Sequence, residues 1–258
     1  MACIYDQDLL RRLNIESRRV TMLYAELTAR YLGRKYASER GREYATHGFC
    51  RRMGVLIHVV NRIFEVLPPE REDIPSRAEV MDATLAIQSF VINLFGCLDN
   101  LAWVWVYEKE VKGEDGKDLP FRSVGLLSKK VRSTYSPDFR SYLDERSEWF
   151  GYVTRFRDAL AHRIPLYIPP YTVKPDKVSE LQRLDQALVE ADRRLDLRES
   201  ERLRAEQEKL GVFYPLMTGS IFEKSPGVYF HPQLISDFMT IDELGRKMMD
   251  ELEARAKA

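Results

Sequence analysis

Histidine, cysteine and glycine are scarce in this chain of 258 residues, and each shortage removes a class of function. Only four histidines occur, His47, His58, His162 and His231, and no two stand four apart. A zinc site on one helix face is therefore not offered. The three cysteines, Cys3, Cys50 and Cys97, are odd in number and widely spaced. They form neither a disulfide framework nor a C-x-x-C clip, which fits a reducing cytoplasm. The 13 glycines are scattered, and no G-x-x-x-x-G-K-[ST], G-x-G-x-x-G, H-E-x-x-H or G-x-S-x-G run appears. Neither a metal nor a cofactor is expected. An excess of one charge is missing as well, since Lys+Arg and Asp+Glu are both 40. That excludes a histone-like binder while leaving room for a local basic face. Positions 1–10 are polar and lack an apolar signal core.

What is present is helical periodicity. Residues 6–32 carry Val20, Leu23, Leu27 and Tyr31 as one apolar stripe. Residues 38–67 repeat the pattern, with Ser38 as N-cap and Pro68-Pro69 as terminator. Ser76 and Glu79 form a capping box that opens a third helix running to about residue 111. A polar turn at 112–118 and a short helix at 126–135 follow. Ser136-Pro137-Asp138 opens a fourth long helix, and Pro165 disfavours helical geometry at Ile164, which places the end near residue 163.

The remainder differs. Residues 164–173, broken by Pro165, Pro169 and Pro170, read as an extended edge strand. Residues 174–210 read as a solvated helix, or as a helical hairpin bent near 196–200. Short strands at 212–218 and 228–230 would complete a small sheet, and 232–256 would be a closing helix. The expectation is a mainly α fold, an antiparallel bundle of four long helices with a small C-terminal β/helical appendage. Residues 1–164 make the bundle. Residues 165–258 supply the extended segment, the charged insertion and the closing helix packed on the bundle.

The third helix is long enough to span a bilayer over 83–107. It carries Gln88, Asn93, Asp99 and Asn100, however, and an Asp near mid-span costs about 2.5–3.5 kcal/mol. A core helix, with no membrane contact, is the expectation. Within it Ser89, Asn93, Gly96 and Asn100 recur at three- and four-residue steps, with Asp99 beside them. A polar stripe on a buried helix is either a hydrogen-bond network fixing helix register or the wall of a polar cleft or subunit interface. Trp103, Val104, Trp105 and Val106 point to successive sides and predict apolar surface left over for a second copy of the chain.

At the end of the fourth helix stands Arg155-Phe156-Arg157-Asp158-Ala159-Leu160-Ala161-His162-Arg163. Asp158 and His162 are four apart on one face, where a carboxylate holds an imidazole, and the helix end favours a cation. Arg157 and His162 lie about 140° apart around the helix. Arg42 precedes His47 by the same five positions, near a helix start and without these features.

The segment resembles the motif of the HEPN superfamily, an Arg followed by a polar residue and, four to six residues on, a His. Phe95-Gly96-Cys97-Leu98-Asp99-Asn100 is similar to the polar position on an earlier helix of such bundles. The resemblance covers the bundle, roughly residues 6–163. It implies a metal-independent endoribonuclease in the cytoplasm, a toxin or antiviral defence effector that pairs its motifs across a homodimer. His162 would then be general base or acid, Arg157 would stabilise the phosphorane and Asp158 would orient the imidazole. Asn93, Asp99 and Asn100 would support the site, while Arg155, Arg163 and Tyr167 would touch the RNA. Another reading makes Asp158 and His162 a helix-end ion pair in a non-catalytic module that binds nucleotides or a regulatory protein partner. Residues 1–62 carry 12 Lys+Arg against 6 Asp+Glu, a basic face suited to phosphates.

Overall fold

The computed structural model describes residues 4–220 and 227–254; Cys3 and the expected end of the last helix at residue 256 lie outside them. The fold is mainly α, a helical bundle with two very small β-ladders. Helix α1 spans Gln7–Gly33 and starts where the Asp6 carboxylate accepts the Leu9 N–H. Helix α4 spans Arg77–Glu108 and opens on the full capping box, with the Ser76 hydroxyl accepting from Glu79 N–H and the Glu79 carboxylate accepting from Ser76 N–H. The Arg71 guanidinium, helped by these Ser76 contacts, holds the Glu79 carboxyl down at about 2.

Two expected long helices are broken. The segment at 38–67 comprises α2 (Glu39–Glu43), a π-helical turn (Tyr44–Phe49) and α3 (Cys50–Val66). Within the wide turn Gly48 permits close approach to α4, because a Cβ there would lie 2.8 Å from the Asn100 side chain. Backbone therefore rests directly against α4 at that point. Of the short helix expected at 126–135, only α5 (Lys129–Arg132) is helical. The fourth long helix divides into α6 (Pro137–Asp144) and α7 (Ser147–His162), with Arg146 at φ −107°, ψ 14° between them. The charged run from Asp144 to Glu148 has no apolar residue to fasten a continuous turn. Instead the Arg146 guanidinium stacks on Tyr142 at 3.8 Å and donates to Glu243 at 2.8 Å.

The Pro-rich segment does not join one sheet. Strand β1 (Thr172–Val173) pairs antiparallel with β2 (Gly211–Val212), and β3 (Leu216–Met217) pairs with β4 (Val228–Tyr229). Tyr167 meets Thr218 in an isolated bridge. Between β1 and β2 the chain makes a helical hairpin, α8 (Val178–Arg193) and α9 (Leu197–Leu210), around a small core of Leu184, Ala191 and Leu203.

The closing helix, α10 (Phe230–Ala254), does more than pack on the outside. Phe230, Leu234, Phe238, Ile241, Leu244, Met248 and Leu252 are buried at helical spacing, and α10 contacts α1, α3 and α4. The Tyr31 hydroxyl donates to the Gly245 carbonyl at 2.8 Å. A Cβ at Gly245 would sit 2.8 Å from the Phe49 ring, so glycine sets how closely the helices approach. His231 is wholly buried between the Leu67 carbonyl (2.6 Å) and the Tyr5 hydroxyl (3.2 Å), and burial pushes its imidazole down to about 4.

Helix α4 is apolar and long enough to cross a membrane by length and composition. In this fold α2, the π-helical turn, α3, α7 and α10 surround it. Trp103, Val104, Trp105 and Val106 are all buried within the single chain, so the apolar excess expected from them is absent. The Trp105 ring is fixed by its N–H, which donates to the Thr134 hydroxyl at 2.8 Å.

Candidate active site

The polar stripe on α4 is occupied from α3. Arg52 lays its guanidinium over Gly96, donating through Nε to Asn100 Oδ1 at 2.9 Å and through Nη1 to Asn93 Oδ1 at 3.0 Å. A Cβ on Gly96 would fall 2.4 Å from the Arg52 Cζ, so only glycine leaves room for the cation. Asn93 turns its amide back to the Ser89 carbonyl at 2.8 Å. The stripe expected from sequence is thus a hydrogen-bonded network, centred on a guanidinium that the sequence did not single out.

Arg157 approaches the same helix from α7. Its guanidinium lies 4.2 Å from the Phe95 ring centroid, and Nη1 meets the Asp158 carboxylate at 3.0 Å. The Arg157 Nε is buried without a hydrogen-bond partner. Asp99 connects the two arginines electrostatically. Crowding by its neighbours pushes its carboxyl above the ordinary value, while Arg157 and Arg52 pull it back down. Two cations, Arg52 and Arg157, and two carboxylates, Asp99 and Asp158, therefore share the surface where α3, α4 and α7 meet.

The expected Asp158–His162 contact is not formed. Asp158 turns to Arg157, where a planar guanidinium offers a stronger and closer partner than an imidazole one turn away. His162 is the last residue of α7, exposed, and has no hydrogen bond or ion pair among the described residues. Arg163 is the C-cap, and Arg155 is exposed on α7. Tyr167 is exposed, with its backbone tied to Thr218 at 2.9 Å. Within one chain the structure joins Arg157, Asp158, Asp99, Asn93 and Asn100 to one network and leaves His162 at its margin.

Sequence reasoning missed Arg52 and Phe95 as members of this site. A signal for Arg52 existed: a glycine inside an otherwise large, apolar helix marks a close approach from a neighbour. No family model, curated protein or solved structure matches the chain.

Proposed function

We propose that the protein is a metal-independent endoribonuclease of HEPN type, acting in the cytoplasm as a toxin or defence effector and built as a homodimer of antiparallel helical bundles. The observation that carries this reading is the preset Arg157 guanidinium, held between the Phe95 ring and the Asp158 carboxylate five residues before an exposed, unpartnered His162. A cation fixed before substrate arrives stabilises the charge of a phosphorane without reorganising. An imidazole free of protein partners is available to take the proton of a ribose 2′-hydroxyl. The 2′-oxygen then bonds to phosphorus, the 5′-oxygen leaves, and a second imidazole from the other copy returns a proton to it. Met81, Leu85 and Ile92 supply exposed apolar surface on α4 leading towards Phe95, the kind of strip a second copy would cover.

The test is RNA cleavage in the presence of a chelator. Wild type is expected to cleave, and Arg157→Ala to lose about 10²–10³ in rate. His162→Ala is expected to abolish cleavage while unfolding like the parent, because an exposed helix-end His contributes only about 0.3–1 kcal/mol through the dipole. An active His162→Ala protein ends the assignment.

The α8–α9 hairpin favours a second reading, a non-catalytic module that docks a regulatory partner. Leu195 and Leu197 stand 82% and 71% exposed at its tip. Wild type that leaves diverse RNAs intact under every condition would leave this reading in place of the first.

A further inference from the structure

A cavity opens on the other side of Asn100, where the π-helical turn faces the C-terminal half of α4. It is a cleft of about 600 Å³, within the range of small-molecule sites. Its floor is aromatic. Tyr107 stacks on Trp103 with centroids 5.3 Å apart and planes 24° apart, and Tyr44 leans on both at 5.5 Å. Phe121 leans on Trp103 with centroids 4.7 Å and planes 47° apart, yet remains 71% exposed where it lines the cleft.

The walls are cationic. Arg40, His47 and Arg51 line the cleft, against one carboxylate, Glu43. Elsewhere on the bundle Arg34 is neutralised by Glu108 and Arg71 by Glu79. Arg40 and Arg51 make no ion pair or hydrogen bond among the described residues; Arg40 only hovers 5.7 Å from the Tyr107 ring. Two unpaired guanidiniums beside stacked, partly open rings match a ligand that carries both a phosphate and a flat base. Asn100 joins the cleft to the Arg52–Arg157 surface, since its amide group lines the cleft and its oxygen accepts from Arg52.

We propose that this cleft holds one nucleotide of a single-stranded RNA, its base against Tyr44, Tyr107 and Phe121 and its phosphate on Arg40, Arg51 and His47. The proposal rests on the nuclease reading for the neighbouring surface and assigns that reading a substrate class: unpaired RNA, gripped one or more nucleotides away from the bond that is cut. Duplex RNA buries its base faces and offers nothing to stack. The wide turn that brings Tyr44 and His47 to one rim is a π-helical segment, a local form frequent at binding sites.

Binding is measured on His162→Ala protein, which keeps the cleft and cannot turn RNA over, by anisotropy of a labelled single-stranded 12-mer RNA. Arg51→Ala in that background is expected to weaken binding severalfold and to lower the slope of log affinity against log salt by about one. Phe121→Ala should weaken it about tenfold with the salt slope unchanged, as loss of a stacked base requires. Both side chains are exposed, so thermal melts should match the parent. AMP should compete, and inorganic phosphate should do so far less well. Parental affinity in both variants overturns the proposal. So does duplex RNA binding as tightly as single-stranded, or AMP alone binding as tightly as the 12-mer. The nuclease reading fails differently, through wild type that binds the 12-mer in the cleft and leaves it whole.

Discussion

Replacing Asp237 by asparagine should change how stability depends on pH, and the structure sets both the sign and the size. Asp237 lies in α10 with its side chain buried; the Trp149 indole N–H and the Gln233 amide each donate to Oδ1 at 2.8 Å. Burial outweighs these two bonds and pushes its carboxyl up to about 7. In the unfolded chain the same group titrates at about 3.9. The folded form thus holds a proton that the unfolded form has lost, and stability falls as pH rises between those values. At about 1.36 kcal/mol per pH unit the full loss is about 4 kcal/mol, complete above pH 7. His231 works in the opposite sense. Its imidazole, at about 4 when folded, is neutral where the unfolded side chain is charged, so its contribution is lost as pH falls from about 6.5 towards 4. Over pH 4–6.5 the two slopes oppose each other, and wild type should look nearly flat. The substituted carboxamide keeps an oxygen for both donors and carries no charge. Urea melts of Asp237→Asn should therefore match wild type near pH 4, exceed it by about 1.5 kcal/mol at pH 5 and by about 4 kcal/mol at pH 8. Parallel curves for the two proteins from pH 5 to 8 would refute the account.

Three further outcomes are expected. His231→Gln should remove the loss of stability between pH 6.5 and 4 and expose the falling slope of Asp237; an unchanged acid limb in urea melts counts against a neutral, buried ring. Gly96→Ala inside α4 would ordinarily gain about 1 kcal/mol from helix propensity. Here it evicts the Arg52 guanidinium and strands the Asn100 oxygen at about 1–3 kcal/mol, so a net loss in denaturant melts is expected, and a gain would mean that Arg52 is not held there. Leu195 has a positive φ of 55° at the exposed turn between α8 and α9. Leu195→Gly should relieve about 1 kcal/mol of backbone strain, and a lower melting temperature would show that the leucine is anchored after all.

The helical class was legible because apolar residues recur at helical spacing and because polar punctuation marks the ends: Ser38, Ser76 and Ser136 all accept the cap hydrogen bonds expected of them. The breaks were not legible. In the wide turn at Tyr44–Phe49, Gly48 meets Asn100, a contact across 52 residues that no local window contains. The break at Arg146 depends on Glu243 in α10, still farther away. The candidate site divides in the same way. Arg157 and the Asn93–Asn100 stripe could be picked out from residue type and spacing, whereas their meeting with Arg52 and Phe95 is purely tertiary. The expected Asp158–His162 pair failed because helical spacing states which residues share a face and not which neighbour each one prefers.

The place of α10 has a consequence for the order in which the molecule can be made. Helix α10, made after α1 to α9, is the one that covers α1, α3 and α4. It is latched along its length, by Tyr31 to Gly245, by Arg246 to Glu26 and to the Leu23 carbonyl, and by Arg30 to Asp250 and Glu253. A nascent chain that has synthesised everything through α9 still lacks the partner for Phe49 and Leu27. Its bundle can collapse but cannot close, and contacts between segments this far apart in sequence form late. Helices α3 and α7, which carry Arg52 and Arg157, take their final setting only against that finished core. The surface that carries them is therefore set only once α10 has been made and has docked.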